Sequence, residues 1–273
     1  MQSWSENPWR AGASAVVRMA YADEVWAVIA GIDGVTAHLA EQVAAKALLT
    51  LIDPGSTDKT VNMANVPWVF SMLPADPLHA GAIGGALGAG GFTLFSATDH
   101  DSRALANDLL LWLRRNRITP MRHVEFEPGA QGAAELAAQA GSQRAVVIAG
   151  PEDSARMVRE LRRAAPGTAI YGGPAMARQS FLDLAGDAAE GVQFPLPMAE
   201  RPGFPDYAAT AGYDAVRLLA ASIRKAGLNR ARIRDAVAEA SEGVCWDALN
   251  RNSRPVQMGV IRNGRRVAVA SGK

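Results

Sequence analysis

Residues 25–36 read VWAVIAGIDGVT, and they carry the pattern that decides the fold. An apolar, β-branched run ends in a loop of small and polar residues, and a stretch with helical spacing of its apolar residues follows. The same pattern recurs four more times along the chain. The five apolar runs are residues 25–30, 48–52, 92–95, 145–149 and 168–171. Alternating strands and helices predict an α/β fold with a parallel sheet covered by helices on both faces.

The loops that follow these five runs are the first candidates for a binding site. In open α/β sheets, ligands bind outside the carboxyl ends of the strands, where unpaired N–H groups of the helices point outward. The five loops are residues 31–36, 53–57, 97–102, 150–154 and 173–176. Helix capping explains Ser56, Thr57, Asp153 and Ser154, and either Asp101 or Ser102, without any ligand. Both interpretations remain open at this point.

The number of strands predicts two doubly wound parallel-sheet lobes rather than one. More than eight runs have the pattern of a strand, and a proline-rich segment at 195–205 interrupts the alternation. We expect lobe 1 to comprise residues 1–91 and 200–250, and lobe 2 to comprise residues 92–199 and 251–273. With 273 residues, of which 49% are hydrophobic, the chain can bury a core in each lobe.

Composition excludes several classes of partner. The chain has 28 basic and 27 acidic residues, a net charge of +1, whereas a nucleic-acid-binding surface needs a basic stripe. The single cysteine, Cys245, excludes an intramolecular disulfide. No apolar run approaches the roughly 20 residues of a membrane-spanning helix. The polar residues 1–8 do not have the pattern of a signal peptide.

Catalytic and cofactor motifs are weak in this chain, so we expect a protein that is not an enzyme and holds no metal or cofactor. The glycines at 81–91 precede a predicted strand, whereas a dinucleotide fingerprint follows one. The triplet Asp99-His100-Asp101 lies in one loop, and neighbours in a loop rarely supply a whole metal coordination shell. No G-x-S-x-G motif is present. His38, His79 and His123 show no pattern of partners.

Local signals predict the remaining elements. Residues 65–70 read as a short edge strand because they contain Pro67. A helix at 78–87 carries three glycines, which predicts close packing of its backbone against the sheet. The longest helical pattern covers residues 207–226. Asn263-Gly264 between two apolar runs predicts a hairpin at 256–269.

Four stretches, taken in order, resemble a known family. They are VWAVIAG at 25–31 followed by Thr36-Ala37, LIDPGST at 51–57, NVPWVF at 65–70 with Pro74-Ala75-Asp76, and GYDAV at 212–216. Each stretch is short, but their order and spacing resemble the type I periplasmic solute-binding proteins, in the leucine/isoleucine/valine-binding branch of ABC-transporter receptors. The resemblance runs across nearly the whole chain.

This resemblance implies two lobes joined by three hinge strands, with a small solute clamped between them. It also implies a periplasmic receptor that delivers an amino acid or another small carboxylate to a transporter permease. Carried over by position, the residues on the carboxylate side are Asp33, Gly34, Gly55, Ser56 and Thr57. The second lobe offers Asp101, Ser102, Pro151, Glu152, Ala175 and Met176.

The sequence departs from the family at two binding positions. Asp33-Gly34 stands where amino-acid-binding members have a serine, and a carboxylate there repels a ligand carboxylate unless it turns away. Ala175 stands where those members have the acid that binds the ligand ammonium, and Glu152 is the candidate substitute. These two departures favour a ligand other than an ordinary α-amino acid, within the class of amino acids and related small carboxylates that the resemblance implies.

A third departure concerns the first strand and its glycine-rich loop, which the family places before the helix matched by residues 11–21. Without this central strand, lobe 1 would be incomplete, and its sheet would close up, borrow a strand from another copy, or belong to a truncated product. An alternative function is a cytosolic ligand sensor on the same fold, with a homodimer formed through lobe 1. An α/β enzyme is the third candidate, and a nucleophile within reach of a base would favour it.

Overall fold

The computed structural model describes residues 8–88, 90–138 and 143–269, with side chains from residue 13 onward. The helices and strands in chain order are α1 (Pro8–Tyr21), β1 (Ala27–Ile29), α2 (Gly34–Ala47), β2 (Thr50–Asp53), β3 (Val69–Ser71), α3 (Asp76–Leu87), β4 (Thr93–Ala97), α4 (His100–Arg115), β5 (Arg122–Phe126), α5 (Ala133–Ala138), β6 (Arg144–Ile148), α6 (Pro151–Ala164), β7 (Ala169–Gly172), α7 (Gln179–Ala185), β8 (Gln193–Leu196), α8 (Tyr207–Ala226), α9 (Arg230–Ala238), β9 (Gln257–Arg262) and β10 (Arg265–Ala268). Short 3₁₀ helices cover Pro174–Ala177 and Gly186–Ala189.

The chain divides into two compact units. Unit 1 comprises Met1–Ala75 and Ala208–Arg254, and unit 2 comprises Asp76–Tyr207 and Pro255–Lys273. The chain therefore passes from one unit to the other three times. No helix in the described ranges has both the length and the apolar character needed to cross a membrane.

Unit 1 contains a three-stranded parallel sheet in the order β1-β2-β3. Leu51 points to the face covered by α1 and α2, whereas its neighbour Ile52 points to the face covered by α8 and α9. A strand buried on both faces needs a continuous apolar run, which explains the sequence at 48–52. β3 forms one edge of the sheet, as Pro67 predicted.

Among the described strands of unit 1, the sheet closes up, which is the first of the expectations stated above for lobe 1. β1 pairs directly with β2, with Val28 opposite Leu51. The N–H of Ala30 donates to the carbonyl of Ile52 at 3.1 Å, so the pairing continues to the end of the strand. The sheet is thus closed between β1 and β2.

Unit 2 contains a seven-stranded sheet in the order β10-β9-β8-β7-β6-β4-β5. The five strands from β4 to β8 are parallel, and β9 and β10 are antiparallel additions. The predicted hairpin is confirmed, because Asn263 and Gly264 join β9 to β10 with φ of 51° and 68°. These positive φ values fit a type I′ turn. The α/β architecture with two sheet-bearing units therefore agrees with the sequence prediction.

The position of α3 differs from the sequence expectation. We expected residues 76–91 in lobe 1, but α3 belongs to unit 2, because Ile83 and Leu87 pack in one core with Leu94 and α4. Its glycines allow close packing, but against a helix rather than the sheet. A Cβ on Gly84 would lie 2.2 Å from Cε3 of Trp112 on α4. The expected boundaries near residues 200 and 250 lie at 207/208 and 254/255.

Candidate functional site

At the carboxyl edge of the unit 1 sheet, the loops after β1 and β2 pack directly on each other. The N–H of Gly55 donates to the carbonyl of Gly31 at 3.1 Å. A Cβ on Gly55 would lie 2.8 Å from the Cα of Ile32, and Gly31 has a φ of 99° with its Cβ position 2.8 Å from Oδ1 of Asp53. Only glycine fits this contact at both positions, so the glycines hold the two loops together.

Asp33 is the N-cap of α2 and uses its carboxylate to cap the helix. Its Oδ1 accepts hydrogen bonds from the backbone N and from Oγ1 of Thr36, both at 2.7 Å. In return, Thr36 Oγ1 accepts from the N–H of Asp33 at 3.3 Å and also from the N–H of Ile32 at 3.0 Å. This arrangement is a capping box, in which orphan donors at a helix start are satisfied reciprocally. Gly34 follows as the buried first residue of the helix.

Two of the predicted ligand donors after β2 are already used within the loop. Oδ1 of Asp53 accepts from the N–H groups of Gly55 and Ser56, each at 3.0 Å. Ser56 is buried, and its Oγ accepts from the N–H of Asp58 at 3.1 Å. Thr57 is half-buried and makes no hydrogen bond to a described residue. In this loop Thr57 is therefore the residue that keeps both an N–H and a hydroxyl for a solute.

A histidine cluster lies beside Thr57, and the sequence analysis missed it. Nε2 of His38 lies 2.9 Å from Oγ1 of Thr60 and 3.2 Å from Oδ2 of the buried Asp58. Nδ1 of His38 lies 3.3 Å from Oε2 of Glu41. The hydrogen bonds to Asp58 and Glu41 raise the pKa of His38 to about 9, against the opposing effect of burial, so the ring is an imidazolium at neutral pH. The three-residue spacing of His38 and Glu41 on α2 was the available sequence signal.

At the carboxyl edge of unit 2, the N-cap of the helix after β4 lies two or three residues earlier than expected. Asp99 is the N-cap of α4, because its Oδ1 accepts from the N–H of Ser102 at 3.0 Å. Neither Asp101 nor Ser102 is the cap. Ser102 is buried, whereas Asp101 lies half-buried in the first turn of the helix.

In unit 2, Arg178 follows β7 in the chain and contacts Asp206 and Tyr207. Nε of Arg178 donates to Oδ2 of Asp206 at 3.0 Å, and the N–H of Gln179 donates to the same oxygen at 3.0 Å. The guanidinium carbon lies 5.8 Å from the centroid of the Tyr207 ring. Sequence analysis missed these residues because Arg178 and Asp206 are 28 positions apart.

Charged residues of unit 2 shift the pKa of Tyr207, and one of them, Asp101, lies in the first turn of α4, after β4. Burial raises the pKa of Tyr207 to about 12; Arg178 opposes this, and the charges of Asp206 and Asp101 add to it. For Arg178, burial lowers the pKa, but Tyr207 and Asp206 outweigh it and raise the pKa above its ordinary value. The charge of Asp101, after β4, thus acts on the same buried phenol that Arg178 contacts after β7. Tyr207 stays neutral and Arg178 stays charged at neutral pH.

The other predicted residues of unit 2 are not gathered into this group. Pro151 is the first residue of α6 and Glu152 is exposed in the same turn. Ala175 is half-buried in the 3₁₀ helix after β7. Met176 is fully buried against Gly172, where a Cβ would lie 2.2 Å from its sulfur, so its side chain belongs to the core.

One serine does lie beside a histidine in unit 2. Oγ of Ser96 lies 2.8 Å from Nε2 of His123, between neighbouring strands β4 and β5. Ser96 is buried within its strand, away from the loops at the sheet edge. Among the described residues no carboxylate contacts the His123 ring, so the pair has no group that would orient the base.

No protein-family model matches the sequence, and no curated protein matches it significantly. Solved structures do match over nearly the whole chain. A leucine-binding protein LivK from Thermotoga maritima superposes with a TM-score of 0.84 at 19% identity, covering 96% of this chain and 84% of that chain. The branched-chain amino acid transporter substrate-binding protein LivJ from Streptococcus pneumoniae, solved with isoleucine, has a TM-score of 0.84 at 18% identity, covering 98% and 85%.

A third similar structure is an ABC-transporter solute-binding protein from R. palustris in complex with benzoate. Its TM-score is 0.84 at 15% identity, and the match covers 96% of this chain and 81% of that chain. The fold of this chain is therefore that of type I periplasmic binding proteins, as the sequence resemblance implied. The similar structures are solute-binding proteins and not enzymes.

Proposed function

We propose that this chain is a non-catalytic solute receptor that binds an amino acid or a related small carboxylate at its strand-end loops and delivers it to an ABC-transporter permease. The main support is the fold match, since the similar structures include a leucine-binding protein, a protein solved with isoleucine and a protein solved with benzoate. Thr57 in unit 1 and the group of Asp101, Arg178 and Tyr207 in unit 2 supply the polar contacts. Both lie at carboxyl edges of parallel strands, where such sheets bind ligands.

Calorimetry against a small panel tests the proposal. The panel is leucine, isoleucine, benzoate and succinate, with glucose as a solute without a carboxylate. We expect at least one acid to bind and to raise the melting temperature, because a ligand that binds only the folded state stabilises it. Failure of every acid to bind, with the protein folded by circular dichroism, would contradict the proposed function.

The contribution of Thr57 is tested with the acid that binds. Thr57→Val removes a hydroxyl and keeps the shape of the side chain, so we expect roughly 5- to 10-fold weaker binding, the loss of about one hydrogen bond. The control is Thr119→Val, because Thr119 is exposed and far along the chain from these loops. Equal affinity for both variants and the wild type would exclude a role for the Thr57 hydroxyl.

The two units are tested separately with the same acid: Thr57→Val tests the loop after β2, and Arg178→Gln tests the group after β7. A periplasmic location is also a proposal, and fractionation of cells that produce the protein from its own gene tests it. Recovery in the cytoplasmic fraction alone would favour a cytosolic sensor instead.

A further inference from the structure

We propose that Arg178 binds the carboxylate of the solute, so that the ligand is a small organic acid held by its carboxylate at unit 2. This inference rests on the proposed function and deepens it. It also differs from the sequence resemblance, which implied that the ligand carboxylate binds at residues 33–34 and 55–57.

Arg178 lies where a ligand-binding group of this sheet is expected. It directly follows the 3₁₀ helix Pro174–Ala177, and only Gly173 separates that helix from the end of β7. The side chain is neither in the core nor fully solvated, because 39% of its surface remains exposed. A guanidinium that is partly desolvated binds an anion more strongly than one in open water.

The neighbours of Arg178 hold it in place without using all of its donors. Asp206 accepts from Nε and also from the N–H of Gln179, which ties the carboxylate to the backbone of the same loop. Tyr207 lies beside the guanidinium. An arginine has five N–H donors, and within the described ranges Asp206 and Tyr207 are its partners. The terminal nitrogens therefore retain donors in the planar fork that matches a carboxylate.

The loop after β2 in unit 1 has fewer hydrogen-bond donors left for a ligand carboxylate. The N–H groups of Gly55 and Ser56 donate to Asp53, and the carboxylates of Glu41 and Asp58 lie on either side of His38. At this edge two carboxylates already pair with the one imidazolium of His38, and Thr57 is the donor that the loop after β2 retains, whereas Arg178 keeps N–H donors beside its pair with Asp206. Thr57 can still hydrogen bond a neutral or cationic part of the solute.

The test compares an acid with its primary amide. The amide keeps the shape of the acid and loses the negative charge, so the ratio of the two Kd values measures recognition of the carboxylate. The pairs are benzoate with benzamide and leucine with leucinamide, measured by calorimetry on the full chain. We expect Arg178→Gln to weaken binding of the acid roughly 10- to 100-fold, the range for charged hydrogen bonds, and to leave amide binding nearly unchanged.

The matched control is Arg163→Gln, which removes the same charge from an exposed position of the same unit. Because Arg178→Gln leaves the buried Asp206 without its arginine, two further variants accompany it. Arg178→Lys keeps the positive charge but loses the planar guanidinium donors. The double variant Arg178→Gln with Asp206→Asn removes both charges of the ion pair. Both are expected to lower the preference for acid over amide.

The outcomes separate the two proposals. If no acid binds the wild type, the proposed function fails and this inference fails with it. If an acid binds the wild type and the folded Arg178 variants keep the full preference for acid over amide, only the inference is overturned. Loss of that preference in the Arg178 variants, with Arg163→Gln unchanged, supports it.

Discussion

Raising the pH above neutrality should destabilise unit 1 through one residue, His38. Its pKa rises from 6.5 to about 9 on folding, because Asp58 and Glu41 hydrogen bond the imidazolium. Each pKa unit is worth about 1.36 kcal/mol, so protonation of His38 stabilises the folded state by about 3 kcal/mol. Since the folded pKa is the higher one, this stability is fully present below pH 6.5 and is lost as the pH rises through about 9.

The assay is urea unfolding at several values between about pH 6 and pH 9.5, followed by circular dichroism. The wild type should lose about 2 to 3 kcal/mol of unfolding free energy across this range. His38→Gln keeps a neutral donor for Asp58 but cannot titrate, so it should be less stable than the wild type near pH 6 and nearly equal to it near pH 9.5. The difference between the two curves isolates His38 from the other histidines.

Parallel curves for the wild type and His38→Gln would refute this reasoning. They would mean that the pKa of His38 is the same in the folded and unfolded chains, and hence that the contacts with Asp58 and Glu41 do not favour the imidazolium. Glu41→Gln is an intermediate case, because one of the two carboxylates remains. Its curve should fall between the other two.

Two further predictions concern stability and are checked by thermal and urea unfolding. Gly84→Ala should lower the free energy of unfolding by about 1 to 3 kcal/mol, because it forces a methyl group against Trp112. Gly85 faces open space, so Gly85→Ala should raise the free energy of unfolding by up to about 1 kcal/mol. Equal effects of the two substitutions would contradict the close contact at Gly84. Arg230→Met should cost about 2 to 3 kcal/mol, because the guanidinium donates to three carbonyls at the ends of α1, α2 and the segment before β1, whereas the exposed Arg232→Met should be nearly neutral.

Much of the fold was predictable because its signals are local. Alternating apolar and helical patterns placed most strands close to their observed bounds, although the strand expected at 65–70 begins only at Val69. The helix Tyr207–Ala226 has the bounds expected from its periodicity. Asn263-Gly264 fixed the hairpin, since both residues tolerate positive φ. Each of these elements depends on residues a few positions apart, so the chain alone contains the information.

The state of the candidate site was not predictable in the same way. The residue types after β2 indicated a polar loop at the sheet edge, but they did not indicate that Asp53 accepts hydrogen bonds from two of its N–H groups, those of Gly55 and Ser56. Ala175 and Met176 are neighbours in the same short 3₁₀ helix, yet the side chain of Met176 packs into the core. Whether a polar group is free depends on its neighbours in space, and sequence patterns do not report those.

The sequence by itself determined the class of fold, the order of its elements and the edge of each sheet that carries polar loops. Only the tertiary structure decided that α3 packs in unit 2, that His38 meets Asp58, and that Arg178 meets Asp206. The last two pairs are 20 and 28 residues apart. Backbone periodicity follows from local sterics and hydrophobic spacing, whereas a pairing across such a distance exists only once the parallel strands have brought their ends to one edge.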